Sequence, residues 1–405
     1  MIAINPIHII VVGAGLIGPR HAEHVIKNSQ TELFGIVDPS PSAKEVASRL
    51  NTLYFKCIKD VIDYCEENSI PIPDGAIVAT PNHTHVKVAA ELAYFGIHLL
   101  VEKPLGSNPQ EAKALKDFAN SKNVKLLVGH HRRFNPFIIE TKNQLHKIGN
   151  IIAVQGTWTL RKPQSYFDQS PWRTNHETGG GPLLINLVHD LDVLQFLFGP
   201  IEKIYAELLK KQRLEYSDNV DEGAALTIRF KNGITGTFIC SDNVTSPFNF
   251  ECGTGENPTI PLHEDLQGFY RIFGSKGTLS VPDLNLFHQA DDKEEEQSTT
   301  TGDKSWLHPI EKKSLIDINE LRTLQPFDLQ LNHFVDIIRG KAEPLCTADD
   351  GISASLCIEA VLKSIETDIP QYIADMKSIS PDYHALGYVH DKTVQATVTT
   401  NTNTK

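Results

Sequence analysis

The sequence predicts an α/β protein whose first 129 residues form a doubly wound parallel sheet covered by helices. Three observations predict it. A β-branched run, "IHIIVV", breaks into "GAGLIG" and then a helical "PRHAEHVIKNS"; a second apolar run, "LFGIVD", ends on Asp38; and short apolar runs keep alternating with amphipathic ones as far as residue 129. Strands that are apolar throughout must be buried on both faces, which requires helices above and below.

The elements follow in order. "SAKEVASRL" and "CIKDVIDYCEEN" read as helices, "GAIVAT" as a strand, "HTHVKVAAELAYFG" as a helix and "IHLLV" as a strand. "NPQEAKALKDFANSK" is then a helix and "VKLLVG" a strand, with Pro109 suited to a first helical turn and Gly96 to a helix end. In such sheets ligands gather beyond the carboxyl ends of the strands, the side on which "ATPNHTH" and "VEKPLG" fall.

The glycine run carries the first functional assignment. A G-x-G-x-x-G that leaves a strand, opens a helix and meets an acidic residue at the end of the next strand is the dinucleotide fingerprint. Gly13 allows the tight turn. Gly15, followed by Leu16 and Ile17, brings the backbone and helix N-terminus towards a pyrophosphate, and Gly18 lets the helix pack close to the strand. Asp38, about 25 residues after Gly13, would accept hydrogen bonds from the adenosine ribose and repel a 2′-phosphate. The implied cofactor is NAD rather than NADP, with Ser40 and Ser42 softening the discrimination.

Composition excludes other classes. A chain of 405 residues favours two domains, and 38 basic against 50 acidic residues give a net charge of −12 that would repel a nucleic-acid backbone. The longest basic cluster, "GHHRRFNP", suits a small anion better than a duplex. The 6 cysteines form no C-x-x-C pair and no zinc-ligand rhythm, so no metal site is expected. No apolar run reaches the ~18 residues of a membrane span, and "IHIIVVGAGLIG" lacks the basic flank and cleavage site of a signal peptide. A cytoplasmic protein is the expectation.

Two polar clusters carry the chemistry. In "Glu102-Lys103-Pro104" the proline stiffens the turn after a buried strand, so Lys103 projects from the sheet edge as a cation able to bind substrate hydroxyls and stabilise an alkoxide. The stretch "TGGGPLLINLVHDLDVLQFLFG" reads as an amphipathic helix behind a glycine-rich entry, with Asn186, His189, Asp190 and Asp192 within two turns. His189, with an ordinary pKa of about 6.5, suits the general base that takes a hydroxyl proton while hydride leaves the carbon. At about 100° per residue Asn186 and Asp192 bracket it on one face. Asn186 can partner a substrate oxygen or the imidazole, Asp192 can orient the imidazole, and either can be a structural hydrogen-bonder.

The motifs "VVGAGLIGPRHAEH", "IVATPNHTH", "LLVEKPLG" and "GGGPLLINLVHDLD" occur in this order at the spacing of the Gfo/Idh/MocA oxidoreductases, which the chain resembles from about residue 7 to about 373. The resemblance implies a Rossmann domain over 1–129 and an α/β domain over 130–375 with a large, mostly antiparallel open sheet that often packs in oligomers, here a dimer or tetramer. "IIAVQGTWTL", "EGAALTIRF", "ITGTFICSDNV" and "YRIFGSKGTLSV" supply strands for it, with a turn at Lys231-Asn232-Gly233, and "FDLQLNHFVDIIRG" and "ADDGISASLCIEAVLKSIETD" supply helices, the latter packing back near the first domain. Residues 291–305 are expected to be a mobile loop and 376–405 a disordered tail.

The resemblance also implies roles. Lys103 and His189 become the catalytic pair. Thr80, Pro81, Asn82 and His85 run along the cofactor, Glu102 lies by the nicotinamide ribose or ring, and Trp172 and Arg173 approach the nicotinamide side, with Arg133 and Asn135 as second-line contacts or domain-interface hydrogen-bonders. The family commonly carries an aspartate four residues before the histidine; here that position is Ile185, and Asn186 is the candidate replacement, implying a weaker base at neutral pH. The implied activity is an NAD-dependent dehydrogenase of a polyol, cyclitol or sugar-like alcohol, an acid sugar included. The alternatives are a dinucleotide-binding regulator and NAD-dependent glycoside cleavage.

Overall fold

The structure, a computed structural model, describes residues 5–213, 220–290, 306, 308–387 and 389. The 291–305 segment lies outside the described residues, as do 388 and 390–405 of the tail. Two compact units divide the chain: one holds residues 1–134, 326–356 and 374–405, the other 135–325 and 357–373.

The first unit is built on six parallel strands, β1 (Ile7–Val12), β2 (Thr31–Val37), β3 (Leu53–Phe55), β4 (Gly75–Val78), β5 (His98–Val101) and β6 (Leu126–Val128), in the order β3-β2-β1-β4-β5-β6. This is the Rossmann order, with the switch point between β1 and β4. Ile9, Ile10, Val11, Ile77, Leu99 and Leu127 are sealed inside it, and Val25, Val61, Ala89 and Leu115 bury the facing stripes of the helices. These strands are apolar because helices cover both their faces.

Later chain completes this unit. Phe327, at the start of the helix Pro326–Ile338, is ringed by His21, His24 and His131 at centroid distances of 5.1, 5.6 and 4.9 Å, with the Arg20 guanidinium 4.3 Å over its face. Residues 376–387, expected to be disordered, are folded onto the helix Pro109–Ser121: Lys113 Nζ donates to the Ile379 carbonyl at 2.5 Å and the Asp382 amide to the Gln110 carbonyl at 3.1 Å. Ile379, Leu386 and Val389 are the buried apolar anchors that a polar-looking tail conceals.

The second unit carries a nine-stranded sheet: β7 (Ile151–Thr159), β8 (Ile201–Leu208), β9 (Gly223–Phe230), β10 (Thr235–Ser241), β11 (Tyr270–Gly274), β12 (Thr278–Val281), β13 (Asn285–Gln289), β14 (Ile310–Ser314) and β15 (Gln371–Tyr372). Their order is β14-β13-β12-β11-β7-β10-β9-β8-β15, antiparallel except for the parallel pair β7 and β10. The β9–β10 hairpin turns at Lys231-Asn232-Gly233, where Gly233 has φ +92°. One face buries Trp158, Phe230, Phe238 and Tyr270; the other presents Gln155, Thr227, Thr237, Ile239, Arg271 and Phe273.

A helix centred on His189 crosses this unit. It begins as a π-helical turn over Leu183–Leu187 and continues as α-helix over Val188–Phe198. Against the expectation that no apolar run is long enough to span a membrane, the stretch His176–Phe198 passes by length and composition. It is mostly buried in the protein and carries His189, Asp190 and Asp192, as befits a core helix with polar work to do.

Candidate active site

In the first unit, a Cβ at Gly13 (φ +105°) would lie 2.4 Å from the Ala79 carbonyl oxygen, and one at Gly18 only 1.9 Å from that of Gly13. Both positions therefore demand glycine. Gly15 differs: nothing lies within 4 Å of its would-be Cβ, Leu16 beside it is 79% exposed, and no side chain caps the helix that Ile17 begins. Open backbone and uncapped amides at a helix N-terminus fit a pyrophosphate.

Asp38 closes the far side of that loop. Its Oδ2 accepts from the Ala14 amide at 2.7 Å and its Oδ1 from the Ser40 amide at 2.8 Å. Ser40 and Ser42 hydroxyls meet each other at 2.8 Å. The carboxylate thus fastens the glycine loop.

Beyond β4 and β5 two loops are tied together. His85, 1% exposed, lies with Nδ1 2.7 Å from the Pro104 carbonyl oxygen and Nε2 2.8 Å from that of Thr80. Burial lowers its pKa against the pull of those two acceptors. Its nitrogens are spent on main chain, so it holds the Thr80-Pro81-Asn82 loop, where Pro81 and Asn82 are exposed, to the Lys103-Pro104 turn. Glu102 Oε1 meets His21 Nε2 at 2.8 Å, and Oε2 accepts from the Lys103 amide at 3.3 Å. Burial opposes its ionisation, but His21, helped by His131 and Lys103, brings the Glu102 pKa down to about 2. Burial and the neighbouring Arg132 push His131 well below the usual imidazole range. Arg133 is held by structural contacts, its guanidinium bonding the Leu345 carbonyl at 2.9 Å and lying 3.1 Å from Asp350.

In the second unit, Asn135 is likewise structural. Its Oδ1 caps the Phe137 amide at 3.0 Å, and its Nδ2 donates to Glu256 at 2.9 Å. Arg173 donates to the Tyr166 carbonyl at 2.6 Å and lies 3.9 Å over the Tyr166 ring, while Trp172 is 43% exposed.

The π-turn overturns the even 100° spacing for Asn186 alone, since His189 and Asp192 both lie in the α-helical part, three residues apart. A π-turn holds more residues than an α-turn, so the faces do not carry across the junction, and such turns recur at functional sites. The four polar side chains have different surroundings. Lys162 Nζ donates to Asn186 Oδ1 at 2.7 Å, and the Tyr270 hydroxyl donates to Asp190 at 2.5 Å. Asp192 is wholly buried and adds to the effect of burial in pushing the Cys357 thiol up.

Sequence reasoning missed a cluster where β7 and β10 end and β9 begins: Lys162, Asp221, Glu222, Asp242 and, from the preceding loop, Arg213. Lys162 lies 3.5 Å from Asp242, Arg213 bonds Asp242 and lies 3.6 Å from Glu222, and Glu222 accepts from the Gln212 and Arg213 amides. Burial, with Asp242 nearby, pushes the Asp221 carboxyl up to about 7 although the Leu183 amide donates to it. The signal lay in "TLRKP", "VDEG" and "CSDN", where charges directly abut strand sequences.

Residues 7–130 match the NAD-binding Rossmann fold of the Gfo/Idh/MocA oxidoreductase family, and residues 142–372 match that family's C-terminal alpha/beta domain. The chain belongs to this family. It is 31% identical over 194 residues to the rhizopine catabolism protein MocA of Rhizobium meliloti, a match spanning 47% of this chain and only 56% of that protein. With the inositol 2-dehydrogenase of Rhizobium meliloti it shares 23% identity over 361 residues, covering 88% of this chain and 96% of the relative. The WlbA dehydrogenase of Bordetella pertussis, solved with NADH and UDP-GlcNAcA, shares the fold at a TM-score of 0.69 and 20% identity, covering 93% of this chain and 100% of that one.

Proposed function

We propose that the protein is an NAD-dependent dehydrogenase that takes hydride from a secondary hydroxyl carbon of a polyol, cyclitol or sugar-like substrate. The observation that carries the reading is the open, uncapped loop at Gly15 and Leu16 with Asp38 fastened across it. A ribose diol fits the Asp38 carboxylate and a 2′-phosphate would be repelled by it, which favours NAD over NADP. The inositol 2-dehydrogenase relative, aligned along most of the chain, supports the substrate class.

The dinucleotide, when bound, supplies the hydride acceptor. In this reading His189 takes the hydroxyl proton and Lys103 stabilises the oxygen as negative charge develops. Asn186, whose amide cannot accept a proton as a base, donates to a substrate oxygen. Thr80, Pro81 and Asn82 line the cofactor, His85 and Glu102 hold the loops that carry those residues and Lys103, and Trp172 borders the nicotinamide. Self-association through the open sheet face and a cytoplasmic location complete the proposal; among the described residues no cysteine is in a disulfide.

The test is NADH formation by the purified protein with NAD and a panel of inositols, aldoses, sugar acids and glycosides, beside Lys103→Met and His189→Ala. One substrate class is expected to give NADH, and Lys103→Met to bind NAD yet transfer no hydride. An unchanged rate in Lys103→Met removes the lysine from the mechanism. NAD binding without turnover favours a dinucleotide-binding regulator, for which Ile185, in place of the family's usual aspartate, is the motivating observation. Glycoside consumption without NADH accumulation would instead indicate transient oxidation.

A further inference from the structure

Lys162 stands three residues past the end of β7, with its main-chain amide bonded to the Asp242 carbonyl at 2.9 Å. Its side chain has little freedom. Nζ lies 3.5 Å from the Asp242 carboxylate, 4.7 Å from the centre of the Tyr166 ring and 5.7 Å from that of Trp158. Asp242 is itself bonded by Arg213, which stacks 4.5 Å over Phe167 and lies beside Glu222; Glu222 is pinned by the Asn243 amide at 2.8 Å. The carboxylate that anchors the lysine is therefore itself anchored.

What this lysine holds is Asn186. An ammonium only donates, so the Asn186 atom 2.7 Å from Nζ must be the carbonyl oxygen, and the orientation of the carboxamide is decided by its neighbour. The nitrogen points the other way. Among the described residues it makes no hydrogen bond, and it is not sealed from solvent. A cation on the amide oxygen also draws charge from the nitrogen and strengthens its N–H groups as donors.

We infer that Lys162 is a positioning residue that turns Asn186 into a fixed hydrogen-bond donor for an oxygen of the substrate, three residues before His189 on the same helix. The inference rests on the dehydrogenase reading for its substrate. It gives the position a chemistry opposite to that of a carboxylate: an amide nitrogen held by a lysine offers N–H to a hydroxyl or carbonyl oxygen and takes no proton. Such a contact is made alike in ground and transition states, so it appears in KM more than in kcat.

The experiment uses the full-length protein with scyllo-inositol and myo-inositol as probes, reading KM and kcat for the polyol and, separately, NADH affinity by fluorescence. Lys162→Met and Asn186→Ala are each expected to raise the polyol KM about tenfold, with kcat and NADH affinity within about threefold of the parent. The double variant is expected to match the single ones rather than multiply them, because both remove one interaction. Lys162→Arg, which keeps a donor and the Asp242 pair, is expected to recover most of the loss and serves if the methionine variant fails to fold. Multiplicative effects, an unmoved KM, or equal loss of NADH affinity would overturn the inference while leaving dehydrogenase activity standing. NADH binding with no turnover of either polyol, or of any inositol, aldose, sugar acid or glycoside in the panel above, would overturn it together with the reading on which it rests.

Discussion

His21 and Glu102 form a part-buried contact in the first unit, 2.8 Å between Nε2 and Oε1, joining the glycine-loop helix to the turn that presents Lys103. Side-chain exposures of 5% and 12% keep both groups mostly out of water. Because folding lowers the Glu102 pKa from 4.5 to about 2, the stabilisation it brings is fully present above pH 4.5 and is lost as pH falls through that window. His21→Leu should destabilise the protein by about 3 kcal/mol in urea denaturation at pH 7, and the difference from wild type should narrow below pH 4.5. A loss well under 1 kcal/mol would mean that the contact contributes little to stability.

Asp38 has two tasks, and one substitution separates them. Asp38→Asn keeps an oxygen for the Ala14 amide but removes the charge, whereas Asp38→Ala removes both. NADPH affinity should rise in both variants relative to NADH, while NADH affinity should fall by about tenfold or more only in the alanine variant. Fluorescence titration of the two reduced dinucleotides decides it; an unchanged NADH to NADPH ratio would remove Asp38 from cofactor choice.

Asp221 makes stability run downhill with pH. Its folded pKa of about 7 lies above the ordinary 3.8, so between those values the folded state holds more of this proton than the unfolded state does, and stability falls as pH rises. Asp221→Asn keeps an acceptor for the Leu183 amide and cannot ionise. Its melting temperature should match wild type near pH 4 and exceed it increasingly towards pH 8, by an amount worth a few kcal/mol at most. Parallel melting curves across that range would show that the carboxylate ionises without cost.

The outward face of the nine-stranded sheet presents Ile239 on β10 and Phe273 on β11 among threonines. Exposed apolar residues spread over a broad sheet face suit a second copy of the chain. The double substitution Ile239→Lys with Phe273→Glu should lower the mass found by light scattering to that of one chain, with the circular dichroism spectrum unchanged. A monomeric wild type would end this proposal.

Much of the first unit was legible because its cause is local. "IHIIVVGAGLIG" states strand, turn and helix by composition, and the apolar runs at 75–78, 98–101 and 126–128 need no partner to be recognised. β3 escaped notice because three residues give no periodicity, and β14, "IEKKS", because every residue in it is exposed and no alternation survives. The π-turn at Leu183–Leu187 also escaped; an extra residue in a helical turn is fixed by what packs around it, here Asp221 on the Leu183 amide and Lys162 on Asn186. His189 and Lys103 could be singled out by residue type, but Lys162 looked like one more solvated lysine, since its significance lies in partners 24 and 80 residues away.

The pocket of His21, His24, His131 and Arg20 closes on Phe327, a residue that leaves the ribosome after the whole β7–β14 sheet. Synthesis and completion therefore run in different orders: the unit that emerges first must wait for some two hundred intervening residues before Phe327 and its helix are made, and longer still for residues 376–387. Through that interval the nascent chain displays three histidines and an arginine around a vacant aromatic seat. A gene cut at the apparent linear boundary near residue 130 would leave that seat vacant for good.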